Sequence, residues 1–467
     1  MLGSCLRPPE PIAMTTPSLF ADDPTIPEIA PAPKPAVSGG TPRLRPVERC
    51  QGQIRWASLD ELLPPDHCAR IVWSYVEAVD IAPLLEPIKA VAGQAGRDAN
   101  DPRVLLALWL YATSEGVGSA RELDRLCIEH LGYQWLCGGM SMNYHSLADF
   151  RKDHVEYLDQ LLTDGVATLL HEELIDLKRV AQDGMRVRAS AGASSFRREP
   201  TLQKCLEEAQ QQVDALRSQV DEDAGAASRR QQKARQRAAE ERRERVQQAL
   251  AERQKLLDLR EQQQKEKGRK FDPAELRTST TDPEARKMKM PDGGTRPAYN
   301  VQFATTPESG IIVGVDVTNS GGDGGQLAPM VDQLKERYGE APEEALVDGG
   351  YTTLDDIESV YENDKVKVFG PVKDAEKKKA AGADPFQPRK NDGPGVSAWR
   401  QRMGTDEGRV TYKLRAQTAE WANAGARNRG LYQVLVRGQQ KVLAVALLHA
   451  LVHNMLRAVV LRQQNKK

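Results

Sequence analysis

Three acids stand out by the residues that accompany them. Asp183 sits in Gln182-Asp183-Gly184 after Val180-Ala181, and Asp348 sits in Val347-Asp348-Gly349-Gly350 after Ala345-Leu346. Each reads as a carboxylate closing a short β-strand, where the following glycine lets the chain turn and leaves the acid exposed. Glu420 lies in a helical run with Tyr412 and Arg415 before it and Arg427 after it. At about 100° per residue these four positions fall within an arc of about 140°, so one helix face would carry an acid, two cations and a phenol. Hard divalent cations such as Mg²⁺ or Mn²⁺ take oxygen ligands and complete their shell with water and phosphate oxygens. Three carboxylates around two such ions, roughly 3.5–4 Å apart, would activate a water or a 3′-hydroxyl for in-line displacement at phosphorus. Carboxylates that close repel one another unless a cation sits between them.

Positioning these acids requires a sheet with helices around it, and the pattern along the chain predicts one. Residues 1–48 are a proline-rich leader without apolar periodicity, expected to be disordered. Residues 49–177 read as an all-α domain. Asp101-Pro102 opens a helix carrying Val104, Leu105, Leu108 and Trp109, Ser119 and Glu122 form an S-x-x-E capping box, and a further helix starts near Ser146. Residues 178–467 read as an α/β catalytic core. Within it, 197–275 is an insertion rich in Gln, Glu and Arg, expected as a long helical, coiled-coil-like hairpin turning near Asp223-Ala224-Gly225. Strands follow at Asn300–Thr305 and Ile311–Thr318, the second alternating with Ile311, Val313, Val315 and Val317 on one face. A helix over Leu327–Tyr338, strands ending at Asp348 and Phe369, and terminal helices complete a mixed-sheet order.

The formal net charge of −1 hides a segregation of charge: from Ser397 to Lys467 there are 13 Lys and Arg against 3 Asp and Glu. A local basic surface attracts phosphates whatever the total. The six cysteines form no CxxC pair, which suits a reducing compartment. Cys127, His130, Cys137 and His145 have a loose zinc-like spacing but read as core positions, and His449 with His453 as a polar stripe on the apolar helix Val442–Leu461. The Gly321-Gly322-Asp323-Gly324-Gly325 run lacks the lysine and hydroxyl of a phosphate loop and reads as a flexible turn. Asp316 is a substitute acid, ranked below Asp348 because it falls mid-strand.

The residues also resemble a family. Tyr412, Arg415 and Glu420 fill the first three places of a Y-R-E-K-type signature, with Arg427 where lysine is usual. Leu108-Trp-Leu-Tyr111, Gly118-Ser-Ala-Arg-Glu-Leu123, Tyr133-Gln-Trp-Leu-Cys-Gly138 and Tyr299-Asn-Val-Gln302 follow in the family's order. The chain is similar to bacterial insertion-sequence DDE transposases with an N-terminal helical domain. The resemblance implies a ribonuclease-H-like mixed sheet, with Asp183, Asp348 and Glu420 as catalytic and metal-holding acids for two Mg²⁺ or Mn²⁺ ions. It further implies Tyr412, Arg415 and Arg427 against DNA, and double-stranded DNA partners at terminal inverted repeats and target. A homodimer in the synaptic complex and a cytoplasmic, nucleoid-associated setting complete the expectation. Alternatives of different character are a ribonuclease-H-like nuclease without strand transfer, or a domesticated DNA-binding protein without catalysis.

Overall fold

A computed structural model describes residues 56–91, 93, 98–219, 226–268 and 270–465. The leader expected over 1–48 and the hairpin turn at Asp223–Gly225 lie outside the described residues.

The N-terminal region is helical: α1 (Leu59–Leu62), α2 (Cys68–Ala78), α3 (Ala82–Leu85), α4 (Pro102–Ser114), α5 (Ala120–Glu129), α6 (Leu131–Leu136), α7 (Tyr144–Asp153) and α8 (Val155–His171). Asp101 caps α4 by accepting from the Arg103 amide, with Pro102 at the first helical position where no N–H is needed. Only half of the expected box forms at α5. Ser119 accepts from the Glu122 amide, while the Glu122 carboxylate lies 3.8 Å from Arg125 instead of reaching back. The helix expected from Ser146 onward is two helices, broken at His154, whose backbone leaves the helical region (φ −122°, ψ 37°).

The sheet is built from β1 (Arg179–Arg188), β4 (Arg286–Lys289), β5 (Thr295–Thr305), β6 (Ile312–Thr318), β7 (Glu344–Leu346) and β8 (Lys367–Phe369), with a separate small pair, β2 (Phe196–Arg197) and β3 (Thr278–Ser279). β1 is central: β5 runs antiparallel along one edge, β7 and then β8 run parallel on the other, and β4 and β6 share the far edge of β5. This mixed sheet with flanking helices fits a ribonuclease-H-like α/β core. Between the small strands, α9 (Glu199–Gln219) and α10 (Ala226–Lys267) form the long charged helical pair expected of the insertion.

Two strand expectations need correction. β1 does not end at Asp183 but continues to Arg188, because β5 keeps pairing with it from Ala181 to Arg188 after β7 has stopped at Ala181. In β6, a register shift opposite Ala304 and Thr305 breaks the simple alternation. Ile312 then joins Val315 and Val317 in the main core, while Ile311 and Val313 pack with Met330 and Leu334 of α11 (Leu327–Tyr338).

The remaining helices are α12 (Leu354–Asp364), α13 (Ala375–Ala380), α14 (Pro394–Gly404), α15 (Asp406–Asn428) and α16 (Gln439–Asn465). By length and composition α16 could cross a membrane, yet 72% of its apolar window is buried inside the protein. It packs on α4, α7 and α8 and on β6, so helices before Asp183 and the sheet share one core. From Ala57 on, the chain is one compact unit.

The expected polar stripe of α16 is buried too. Asn454 exchanges both amide contacts with Ile312, at 2.8 and 2.7 Å, and His453 Nε2 lies 2.8 Å from the Gly310 carbonyl. His449 is buried, with no partner at Nδ1 among the described residues. Burial pushes His449 down to about 3 and His453 down to about 4. A histidine whose folded value lies below its unfolded one contributes stability fully above the unfolded value, near 6.5, and loses it as pH falls. The loss is about 1.4 kcal/mol per pH unit for each histidine. Replacing His449 with Leu should therefore leave the protein about 2 kcal/mol more resistant to denaturant at pH 5, relative to its change at pH 7.5. Paired urea titrations at the two pH values measure this, and an equal shift at both would refute it.

Candidate active site

Asp183 and Asp348 meet where β1 loses its parallel neighbour. β7 ends at Leu346, Val347 donates its amide to the Phe369 carbonyl, and Asp348 opens the turn beyond. Asp183 lies just past the last parallel pair on β1, Ala181 with Leu346, so the two side chains occupy adjacent strands at one end of the parallel ladder. Gly350 donates its amide to Asp348 Oδ1 at 2.6 Å, fixing the carboxylate against its own turn.

α15 lies across β1 and β5 and supplies the partners. Arg415 Nη2 is 3.1 Å from Asp183 Oδ1 and 3.9 Å from Asp348 Oδ2, and Asn423 Nδ2 donates to Asp183 Oδ2 at 2.8 Å. The Arg415 guanidinium thus bridges the two carboxylates. Burial pushes the Asp183 carboxyl up, and the nearby Asp348 charge pushes the same way, while Arg415 and Asn423 pull it down. Beside it, Arg415 Nε and Asn423 Oδ1 are buried without partners among the described residues.

Glu420 is placed differently. It is exposed on α15, about 140° around the axis from Arg415 and about 60° from Asn423. Among the described residues it makes no hydrogen bond or ion pair with either aspartate, and no three acids, histidines or cysteines converge to hold a metal ion. The reason is electrostatic. Two half-desolvated carboxylates need a positive charge, and Arg415 meets that need, whereas a third acid turned inward would add repulsion. Tyr412 is half-buried against the core beneath β7 and β8, and burial raises its hydroxyl pKa. Arg427 is exposed. The signature residues expected on one face are therefore divided: Arg415 turned in, Glu420 and Arg427 turned out.

Asp316 sits opposite Gln302 on β6, one strand beyond β5. Cys127 and Cys137 are buried, with Cys137 Sγ 3.9 Å from the Cys127 carbonyl, and among the described residues they form no metal-holding group with His130 and His145. Sequence reasoning missed Asn423, which follows Glu420 by three positions on the same helix and carries no charge to draw notice. It also passed over the buried carboxamides Asn300 and Gln302, although they alternate with Val301 and Phe303 in a stretch that had been singled out.

The donor set suits a hard cation. Two carboxylates converge on a gap already filled by one of the chain's own positive groups, and an orphaned amide oxygen of Asn423 lies beside them. Paired acids where the parallel ladder of a mixed sheet ends suit metal-assisted phosphoryl transfer. A family model described as a transposase domain (DUF772) matches residues 57–153, and a transposase DDE domain matches 263–455. Together they span well over half of the chain, with Asp348 and Glu420 inside the second match and Asp183 between the two. The chain belongs to the insertion-sequence DDE transposases, which are metal-dependent enzymes of DNA phosphoryl transfer. No curated protein matches it significantly.

Proposed function

We propose that this transposase cuts DNA at the terminal inverted repeats of its element and joins the freed 3′-hydroxyl ends to target DNA, using two Mg²⁺ or Mn²⁺ ions held by Asp183, Asp348 and Glu420. The convergence of Asp183 and Asp348 on one cation position, where the parallel ladder ends in a DDE transposase, carries this reading. Glu420 is the exposed acid on the same helix as Arg415 and is available to complete the set. When bound, the ions polarise the attacking oxygen and stabilise the leaving one.

The chain's own groups do the rest. Asp183 and Asp348 are rigid because they sit on paired backbone and a fixed turn, so the reacting phosphate meets preorganised oxygens. Arg415 gives up its role as the local counter-charge and becomes the guanidinium that grips a phosphate, with Arg427 and Tyr412 as further DNA contacts. The N-terminal helices α1 to α8 hold the transposon ends, and two copies pair the ends as a homodimer.

Incubating the purified chain with Mn²⁺ and DNA bearing the element's own ends tests this. Joined products at target DNA are expected. Nicks without joining would favour a nuclease, and an Asp348→Asn variant that lost DNA binding along with cleavage would favour a structural role for the aspartate.

A further inference from the structure

We propose that Asp323 is a positioning residue for the same reaction, fixing from behind the sheet the turn that carries Asp348. The proposal rests on the reading of Asp183 and Asp348 as the metal-holding acids.

Asp323 stands in the glycine run expected to be a flexible turn, yet its side chain is only 15% exposed and is tied on every side. Along β1 and β5 the side chains alternate. Asp183 faces α15, while Gly184, Asn300 and Gln302 face the opposite way. Gly184 has no room there: a Cβ would come within 2.5 Å of Gln302 Nε2, 2.7 Å of Asp323 Oδ1 and 2.8 Å of Asn300 Oδ1. Asp323 therefore presses on β1 at the residue directly after Asp183. Its Oδ1 accepts from Asn300 Nδ2 at 2.6 Å and from Gln302 Nε2 at 3.3 Å. Its Oδ2 lies 3.7 Å from Arg186, whose guanidinium also donates to the Gly321 carbonyl at 3.0 Å.

The same carboxylate lies beside the other aspartate's turn. A Cβ on Gly350 would lie 2.9 Å from Asp348 Oδ1 and 3.2 Å from Asp323 Oδ2, so Gly350 is the bare point where the two acids approach each other. A Cβ on Gly324 would lie 3.5 Å from the Gly350 carbonyl, and the Tyr351 hydroxyl donates to Gln302 Oε1. Asn300 and Gln302 are fully buried, and buried carboxamides need partners for their N–H groups. Asp323 supplies that partner for both. Through it, the β1 segment after Asp183 and the turn after Asp348 pack on one carboxylate, which in this proposal holds the two acids at their separation.

The test is Mn²⁺ affinity, measured calorimetrically on the full chain without DNA, for wild type, Asp183→Asn, Asp323→Ala and Asp323→Asn, beside DNA-end affinity and joining rate. Asp323→Ala should lose roughly 10- to 100-fold in Mn²⁺ affinity and in joining, with DNA-end affinity unchanged. Asp323→Asn keeps the shape and one acceptor but brings an N–H to the Gly350 turn, and should lose roughly threefold or more. Should the alanine variant fail to fold, the asparagine variant decides by the same criterion. Wild-type Mn²⁺ affinity in a folded Asp323 variant overturns the proposal. If Asp183→Asn binds Mn²⁺ as well as wild type, the reading of the site itself fails, and this inference with it.

Discussion

Asp348→Asn should leave a folded protein that binds DNA ends but transfers phosphoryl groups on the order of a thousandfold more slowly, or not at all. The side chain projects from a turn, is 39% exposed and accepts a local hydrogen bond from the Gly350 amide, so the fold does not depend on its charge. Asparagine preserves the shape and one acceptor while removing the negative charge that a divalent cation requires. Metal-assisted charge stabilisation is worth several kcal/mol, and each 1.36 kcal/mol is about tenfold in rate. A single-turnover cleavage assay on end-bearing DNA reads the effect directly, with far-ultraviolet circular dichroism confirming the fold. A variant with more than about a tenth of wild-type activity would show that Asp348 is not a metal-holding acid.

Arg415→Gln should have a second, opposite signature: a metal-free protein that is less stable, and a larger stabilisation by Mn²⁺. In the structure Arg415 is the cation between two acids, with its side chain 12% exposed and that of Asp183 18% exposed. Breaking a fully buried pair costs about 3–5 kcal/mol. Because Asp348 is partly exposed, we expect roughly 2–3 kcal/mol here. A divalent cation that takes the place of the guanidinium restores the missing charge. At a hundred times its dissociation constant a ligand adds about 2.7 kcal/mol, enough to offset the loss. In wild type the ion has to compete with Arg415, so its stabilising effect is smaller. Thermal melts of both proteins with and without Mn²⁺ measure the difference. Equal metal-induced shifts in the two would mean that Arg415 and the ion do not share a place.

The sequence already carried much of the scaffold. The apolar runs before Asp183 and Asp348 and the Leu327–Tyr338 periodicity are local signals, and the strands and helix they predict are present. What it hid were consequences of pairing. The true length of β1 depends on β5, which lies more than a hundred residues later, and no local turn signal marks that continuation past Gly184. The register shift in β6 reassigns Ile311, Ile312 and Val313 between cores and is invisible to a simple count of alternation. The α16 histidines read as a polar stripe because their spacing is that of a helix face. That face instead turns onto the β6 corner, where backbone groups of Gly310 and Ile312 satisfy His453 and Asn454.

The site was legible to a similar degree. Both aspartates and Arg415 come together, since each is held by backbone or by a charge that has to be met. Helical geometry alone could not decide which part of α15 turns inward. Glu420 and Arg415 lie about 140° apart around the axis, and the unmet negative charge of the aspartates draws in the arginine. Asp323 was hidden for a different reason. A glycine-rich run looks mobile in one dimension, and the carboxamides that pin it lie on strand β5.

The most direct test of the account is anomalous diffraction from crystals of the wild-type chain grown with Mn²⁺. We predict a manganese peak between Asp183 and Asp348, with the Arg415 guanidinium no longer bridging them. A peak elsewhere, or an Arg415 bridge undisturbed at saturating Mn²⁺, would contradict the claim that these two aspartates hold the ion for DNA transfer.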